Sequence, residues 1–157
     1  MFTGPEIAAQ FADLGITHVI WIPDTTTGPW ESALESSSGF DLIRICREGE
    51  AWPLAAGLHV GGQSPIILIQ TTGLFESGDA MRNVLFDLRV PLFAVIGARN
   101  WLNVDSTDSA KRFTEPILKA WGIPYALIDG AEHKHRLADH YRQCVQSQEA
   151  GFVLLAE

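Results

Sequence analysis

The chain has 157 residues, 46% of them hydrophobic and 19% charged, with a formal net charge of −8. That length fits one domain, and the apolar share excludes a disordered chain. The acidic balance, with no basic stripe, excludes a non-specific nucleic-acid binder, and no apolar run is long enough to span a bilayer.

The opening stretch, "MFTGPEIAAQFADLG", has no basic or long apolar leader, so no signal peptide is expected and the expected location is the cytoplasm. Within it, "PEIAAQFADLG" (5–15) starts on Pro and ends on Gly, the asymmetry of a helix. "THVIWI" (17–22) is the first predicted strand, and a short helix is predicted around Trp30 to Leu34. "DLIRIC" (41–46) is the second strand, followed by an Ala-rich helical segment with Pro53 in its first turn. "PIILIQ" (65–70) is the third strand. "ESGDAMRNVLFDLR" (76–89) repeats apolar residues at Met81, Val84, Leu85 and Leu88, a helical face. "PLFAVIGA" (91–98) is the fourth strand, and the polar segment 99–109 is predicted as a loop. "FTEPILKAWG" (113–122) is a helix closing in Gly. "YALI" (125–128), a helix over 132–148 and "GFVLLA" (151–156) complete the chain. Alternation of this kind predicts a single α/β domain: a doubly wound, mainly parallel six-stranded sheet with helices on both faces.

Cys46 and Cys144 fit neither a disulfide framework nor a metal spacing, and are expected as buried, reduced thiols. The five tryptophans are many for this length, and some are expected on a partner surface. His133, His135 and His140 read as a solvated, titrating surface rather than a metal site, because two-residue spacing splits the first two between helix sides. Asp105 and Asp108 read as turn formers. No dinucleotide fingerprint, phosphate loop, H-E-x-x-H or G-x-S-x-G occurs.

In a doubly wound sheet, ligands bind beyond the carboxyl ends of the strands. The residues there are Pro23 to Thr27, Arg47-Glu48, Thr71 to Leu74, and Gly97 to Asn100. They offer hydroxyls, a carboxylate, a Gly turn and a guanidinium. The odd member is Glu48, placed at the end of a predicted buried strand against an apolar helix. On spacing alone, a helix-start charge accounts for it.

"REGEAWPLAAGLHVGG" followed by "SPIILIQTTG" resembles the pyrimidine-binding domain of thiamine diphosphate enzymes. The pattern E-x-x-A-x-x-x-A-x-G falls on Glu48, Ala51, Ala55 and Gly57, with Gly73 in the turn beyond the next strand. "WIPDTTT", "IQTTGL" and "KAWGIPY" extend the resemblance to the sulfopyruvate and phosphonopyruvate decarboxylases. It implies that Glu48 is the catalytic carboxylate, sharing a proton with N1′ of the cofactor's aminopyrimidine and so activating the thiazolium for attack on a small 2-oxo acid. A partly buried carboxylate suits that exchange, since desolvation favours its protonated form. It also implies cofactor contacts at Glu48, Pro23, Thr72, Gly73 and Leu74, and substrate contacts at Thr25 and Arg99. For Thr25 a helix N-cap is an equal alternative, for Gly73 a turn with positive φ, and for Arg99 a surface role. Glu50, two places late for the motif, is a helix-start charge.

The diphosphate and its Mg²⁺ require a G-D-G motif that this sequence lacks. The resemblance therefore implies a separately encoded, diphosphate-binding beta-type subunit that holds Mg²⁺ and shares the cofactor. The chain itself would form a homodimer or a hetero-oligomer, pairing through the helix that carries Trp52 and Leu58, and would be inactive alone. Phe75 and Glu76 depart from the pattern and favour an alternative, a non-catalytic module that kept the fold. A carboligase subunit is a further alternative.

Overall fold

The computed structural model describes residues 1–157. Six strands form one sheet: β1 (His18–Trp21), β2 (Asp41–Arg44), β3 (Pro65–Gln70), β4 (Phe93–Ala98), β5 (Tyr125–Ile128) and β6 (Gly151–Ala156). The order is β2-β1-β3-β4-β6-β5, and every pairing is parallel. Seven helices surround it: α1 (Gly4–Asp13), α2 (Glu31–Ser36), α3 (Glu48–Val60), α4 (Thr71–Glu76), α5 (Gly78–Arg82), α6 (Ser109–Ala120) and α7 (Arg136–Ser147). No helix is long and apolar enough to cross a membrane.

The apolar runs are continuous because the central strands are covered on both faces. Every residue of β3, β4 and β6 is buried. Their side chains alternate between two cores. Ile67, Ile69, Ala94 and Ile96 join Trp52, Leu74, Met81 and Leu118 under α3 to α6. Ile66, Leu68, Phe93 and Val95 join Phe11, Leu34 and Leu137 under α1, α2 and α7. The sheet turns back on itself at β1: the chain leaves β1 for β2 on one side, then crosses back to β3 on the other. Such a reversal, here at the carboxyl ends of β1 and β3, is where a doubly wound sheet offers its binding crevice. The edge strands, β2 and β5, have four residues each against six in β3, β4 and β6.

Several helices differ from the sequence pattern. The helix predicted over 76–89 starts at once after β3 and is divided into α4, α5 and a π turn, Asn83–Asp87. The break follows Ser77, whose hydroxyl donates to the carbonyls of Gly73 and Leu74 instead of facing solvent. Helix α6 starts four residues early because Asp108 caps it, accepting from the Ala110 N–H at 2.9 Å. Pro53 is the sixth residue of α3, beyond the first turn. Cys46 is exposed, since it follows the edge strand β2 rather than a central one; Cys144 is buried. Burial, with Glu149 adding to it, pushes the Cys144 thiol up to about 11, so it stays protonated at neutral pH.

Trp52 is fully buried, its ring centroid 5.6 Å from that of Phe152, so it is a core residue and not a partner surface. Its indole N–H has no hydrogen-bond partner. Trp52→Ala should lower unfolding free energy by about 3–5 kcal/mol. Trp52→Phe should lower it by less than about 1.5 kcal/mol, because it keeps a ring and removes the unpaired donor. Urea unfolding of the two variants checks the ordering.

Candidate functional site

The crevice is built from three chain segments. The first is the turn after β1. Asp24 folds it by accepting from the backbone N–H of Thr26 and Thr27, at 2.7 and 2.8 Å. The short helix that follows therefore takes no cap from Thr25, whose side chain is free to face elsewhere. Gly97 at the end of β4 lets this turn sit close: a Cβ there would lie 2.8 Å from Thr26 Oγ1. Pro23 and Thr25 are both exposed on the turn.

The second segment is the start of α3. Glu48 is its first residue, half-buried, and Arg47 occupies the cap position without capping through its own side chain. Two carboxylates hold the backbone at the helix start, one of them by meeting an orphan N–H of the first turn. Glu50 reaches back to the Cys46 N–H at 3.2 Å, the helix-start role expected of it. Glu76, from the far end of α4, accepts the Gly49 N–H at 2.7 Å and pairs with the Arg47 guanidinium. So the acidic residue that departs from the family pattern is neutralised by Arg47 and serves as a cap. The carboxylate of Glu48, by contrast, has no hydrogen-bond or ion-pair partner within the chain, while Glu50 and Glu76 on either side are engaged.

The third segment is the start of α4, which follows β3 without a loop. Gly73 does not have positive φ and does not form a turn. Its reason for being Gly is a close approach. A Cβ at this position would lie 2.6 Å from Glu48 Oε1 and 2.7 Å from its Cδ, distances that real contacts do not reach. Glu48 thus rests directly on the backbone of α4. Leu74 points the other way, into the core with 1% exposure, so only its backbone can meet a ligand.

Gln70, the last residue of β3, ties the segments together. Its amide donates to Thr25 Oγ1 at 3.0 Å, and its carbonyl accepts from Thr72 Oγ1 at 3.2 Å. Thr25 in turn donates to Glu157 at 3.4 Å. Sequence reasoning singled out neither Gln70 nor Glu157. The signal was available for Gln70, a lone polar residue closing the apolar run "PIILIQ" at the sheet's binding edge.

Arg99 lies apart from this cluster in its bonding. Its guanidinium is held by Asp108 at 3.0 Å, and Asn100 shares the same carboxylate. Asn100, the Ala110 N–H and Arg99 together hold the Asp108 carboxyl below the usual carboxylate range. Phe75 lines a cleft with Thr72, Ser109, Ala110 and Phe113, against α6. Glu48 is not among its walls. The three histidines of the last helical region do not converge. His133 pairs with Asp129, and His140 packs on Phe93 with burial pushing its imidazole down, so His140 is not the solvated group expected. No group of three His, Cys, Asp or Glu side chains is placed to hold a metal ion.

The fold, a six-stranded all-parallel α/β sheet, is shared with a solved structure. The structure of a provisionally assigned thiamin diphosphate-dependent enzyme from Mycobacterium smegmatis superposes with a TM-score of 0.71. The match covers 99% of this chain and 31% of that one, at 17% identity. The sequence relatives are more particular. The chain is 22% identical over 121 residues to the sulfopyruvate decarboxylase alpha subunit of Methanothermobacter thermautotrophicus, covering 76% of this chain and 73% of the relative. It is 24% identical over 115 residues to that of Methanococcus maripaludis, covering 72% and 69%. It is 25% identical over 95 residues to the phosphonopyruvate decarboxylase of Streptomyces viridochromogenes, covering 60% of this chain but 24% of the relative. No family model matches. The resemblance read from the residues therefore holds, and the chain is related to these decarboxylases.

The Arg47 guanidinium, with help from the Gly49 N–H, holds the Glu76 carboxyl below its ordinary value of 4.5. A carboxyl depressed by folding stabilises the native state above its unfolded value, and that contribution is lost as pH falls through the folded value. Carbon-detected NMR should place the Glu76 midpoint below 4.5 in the native chain. Replacing Arg47 by Met should move it upward. No movement would mean that the pair is absent in solution.

Proposed function

We propose that this chain is the pyrimidine-binding, alpha-type subunit of a thiamine diphosphate-dependent 2-oxo acid decarboxylase. The observation that carries this reading is the placement of Glu48 on Gly73: a half-buried, unpartnered carboxylate, fixed at the crevice, over a residue that can have no side chain. The residues fit one half of the cofactor. Glu48 would hold or release a proton at N1′ of the aminopyrimidine. The backbone of Thr72, Gly73 and Leu74, with Pro23 across the crevice, would form the walls of the ring's slot. Thiamine diphosphate, when bound, supplies the electron sink for loss of CO2.

Positioning of Glu48 and contact with the substrate fall to this chain's own groups. Glu76 and Arg47 fix the first turn of α3, and so fix the backbone from which Glu48 projects. Gln70 orients the hydroxyls of Thr25 and Thr72, and Thr25 is the proposed substrate contact. Arg99 could meet a second anionic group on the substrate only by leaving Asp108. We assign the diphosphate and Mg²⁺ to a separately encoded beta-type chain, with the cofactor between the two subunits. Half-site chemistry of this kind requires a hetero-oligomer, which we assign to the cytoplasm. The bonding of Glu76 to Arg47 and to the Gly49 N–H gives that residue a structural reason compatible with catalysis, and so supports this reading over a non-catalytic module. Carboligation, which would use the same Glu48, is the second outcome of the same site.

Titrating thiamine diphosphate and Mg²⁺ into the chain, with and without the candidate partner, tests the half-site: binding is expected only in the mixture. In the mixture, Glu48→Gln should lower CO2 release from a 2-oxo acid by at least about 100-fold. Gly73→Ala should do nearly as much while the chain stays folded, because the added methyl displaces Glu48 into solvent. Full activity in Glu48→Gln would end the assignment.

A further inference from the structure

The amino-terminal edge of the sheet, opposite the crevice, carries a second cavity of about 420 Å³. That is within the size range of small-molecule sites, about 300–1,000 Å³. Phe86, Val90 and Ile123 supply apolar wall, and Arg89, Gln148 and Glu149 supply polar wall. Two observations set this cavity apart.

The first is in the backbone. Three helices of this chain end on a glycine with positive φ: Gly15 after α1, Gly62 after α3 and Gly122 after α6. Each is followed by the backbone bond that closes a helix end, Ile16 to Phe11, Gln63 to Leu58 and Ile123 to Leu118. Two helical segments close in the same manner without glycine. The π turn ends on Arg89 with φ 56°, and α7 ends on Gln148 with φ 57°. Val90 bonds back to Val84, and Glu149 to Cys144. Left-handed backbone disfavours a side chain, and glycine is the default there. Both exceptions line the same cavity. Unfavourable backbone held at two converging positions points to side chains kept for a purpose.

The second is in the charges. Arg89 and Glu149 both line the cavity, yet they form no ion pair with each other or with any other side chain. Six arginine and lysine side chains of the chain are paired with carboxylates, all of them away from this cavity; of the five that are not, Arg89 is the one that lines it. One free cation and one free anion on an apolar-walled cavity match a ligand that carries both charges and an apolar body.

We propose that this cavity binds a small zwitterion with an apolar side chain, of the α-amino acid class. The Arg89 guanidinium takes the carboxylate, Glu149 takes the ammonium group, and Phe86, Val90 and Ile123 receive the side chain. The site is independent of Glu48 and of the cofactor, and stands whether or not the decarboxylase reading does.

Calorimetric titration of the full chain with leucine and with phenylalanine tests it. At least one should bind. The same body lacking one charge, 4-methylpentanoate or isopentylamine, should bind at least about tenfold more weakly, as expected for loss of a charge-assisted contact. Arg89→Gly suits the backbone better than arginine does, so it should raise the thermal midpoint while abolishing binding, which separates the ligand contact from folding. Glu149→Gln should weaken the amino acid and leave 4-methylpentanoate unchanged. No heat from either amino acid up to roughly 10 mM would overturn the proposal, since weaker binding falls below any specific affinity. Undiminished binding in Arg89→Gly, or equal binding of the singly charged analogues, would overturn it as well.

Discussion

The carboxyl edge of the sheet depends on one close approach, that of the Glu48 side chain to the backbone of α4 at Gly73. An α/β sheet ordinarily keeps the starts of neighbouring helices apart by the width of their side chains. Here one helix start lies on the other, because one of them has none. The geometry then has little freedom. The carboxylate cannot swing toward α4, and the backbone behind it is bonded through Gly49 and Arg47 to Glu76. A carboxylate fixed in this way is positioned before any ligand arrives, as the proposed proton exchange at a ring nitrogen would require.

Electrostatics around that carboxylate follow the same division of labour. The chain is acidic overall, with a net charge of −8. Close to the crevice, however, the acids other than Glu48 are engaged. Glu50 and Glu76 cap α3, Asp24 folds the turn after β1, and Asp108 caps α6 and holds Arg99. Each accepts from backbone N–H groups or from a guanidinium. The acidic residue that looked most awkward in the sequence proves to be a helix cap whose charge is spent on a neighbouring arginine.

The architecture was legible in the sequence because burial on both faces makes a parallel strand a continuous apolar run. All six strands fell where such runs lay, and the residues after them did converge on one edge. What was not legible depended on partners far along the chain. Gly73 read as a turn former from its neighbours, whereas its role is set by Glu48, 25 positions earlier. The cap of α3 comes from Glu76, 27 positions beyond Gly49. The break after α4 depends on a Ser77 hydroxyl turned inward, which helical periodicity does not register. Trp52 was placed on a pairing helix, yet the neighbours Ala51, Ala55 and Ala56 already marked the buried side of α3. Arg99 and Asp108 are nine positions apart in an irregular segment, where no periodicity brings them together.

The edge strands bear on how this chain meets others. Both have four residues, and β2 begins on Asp41 and ends on Arg44. An open strand edge invites another strand to add to it, and short length with charged ends is a natural defence. The sheet therefore behaves as a closed unit, and recruitment of a second polypeptide is left to helix surfaces and to the loops at the strand ends. Assembly through such surfaces rests on side chains rather than on shared backbone ladders. Subunits joined in that way can be exchanged, and their pairing altered residue by residue, without disturbing the fold that holds the crevice.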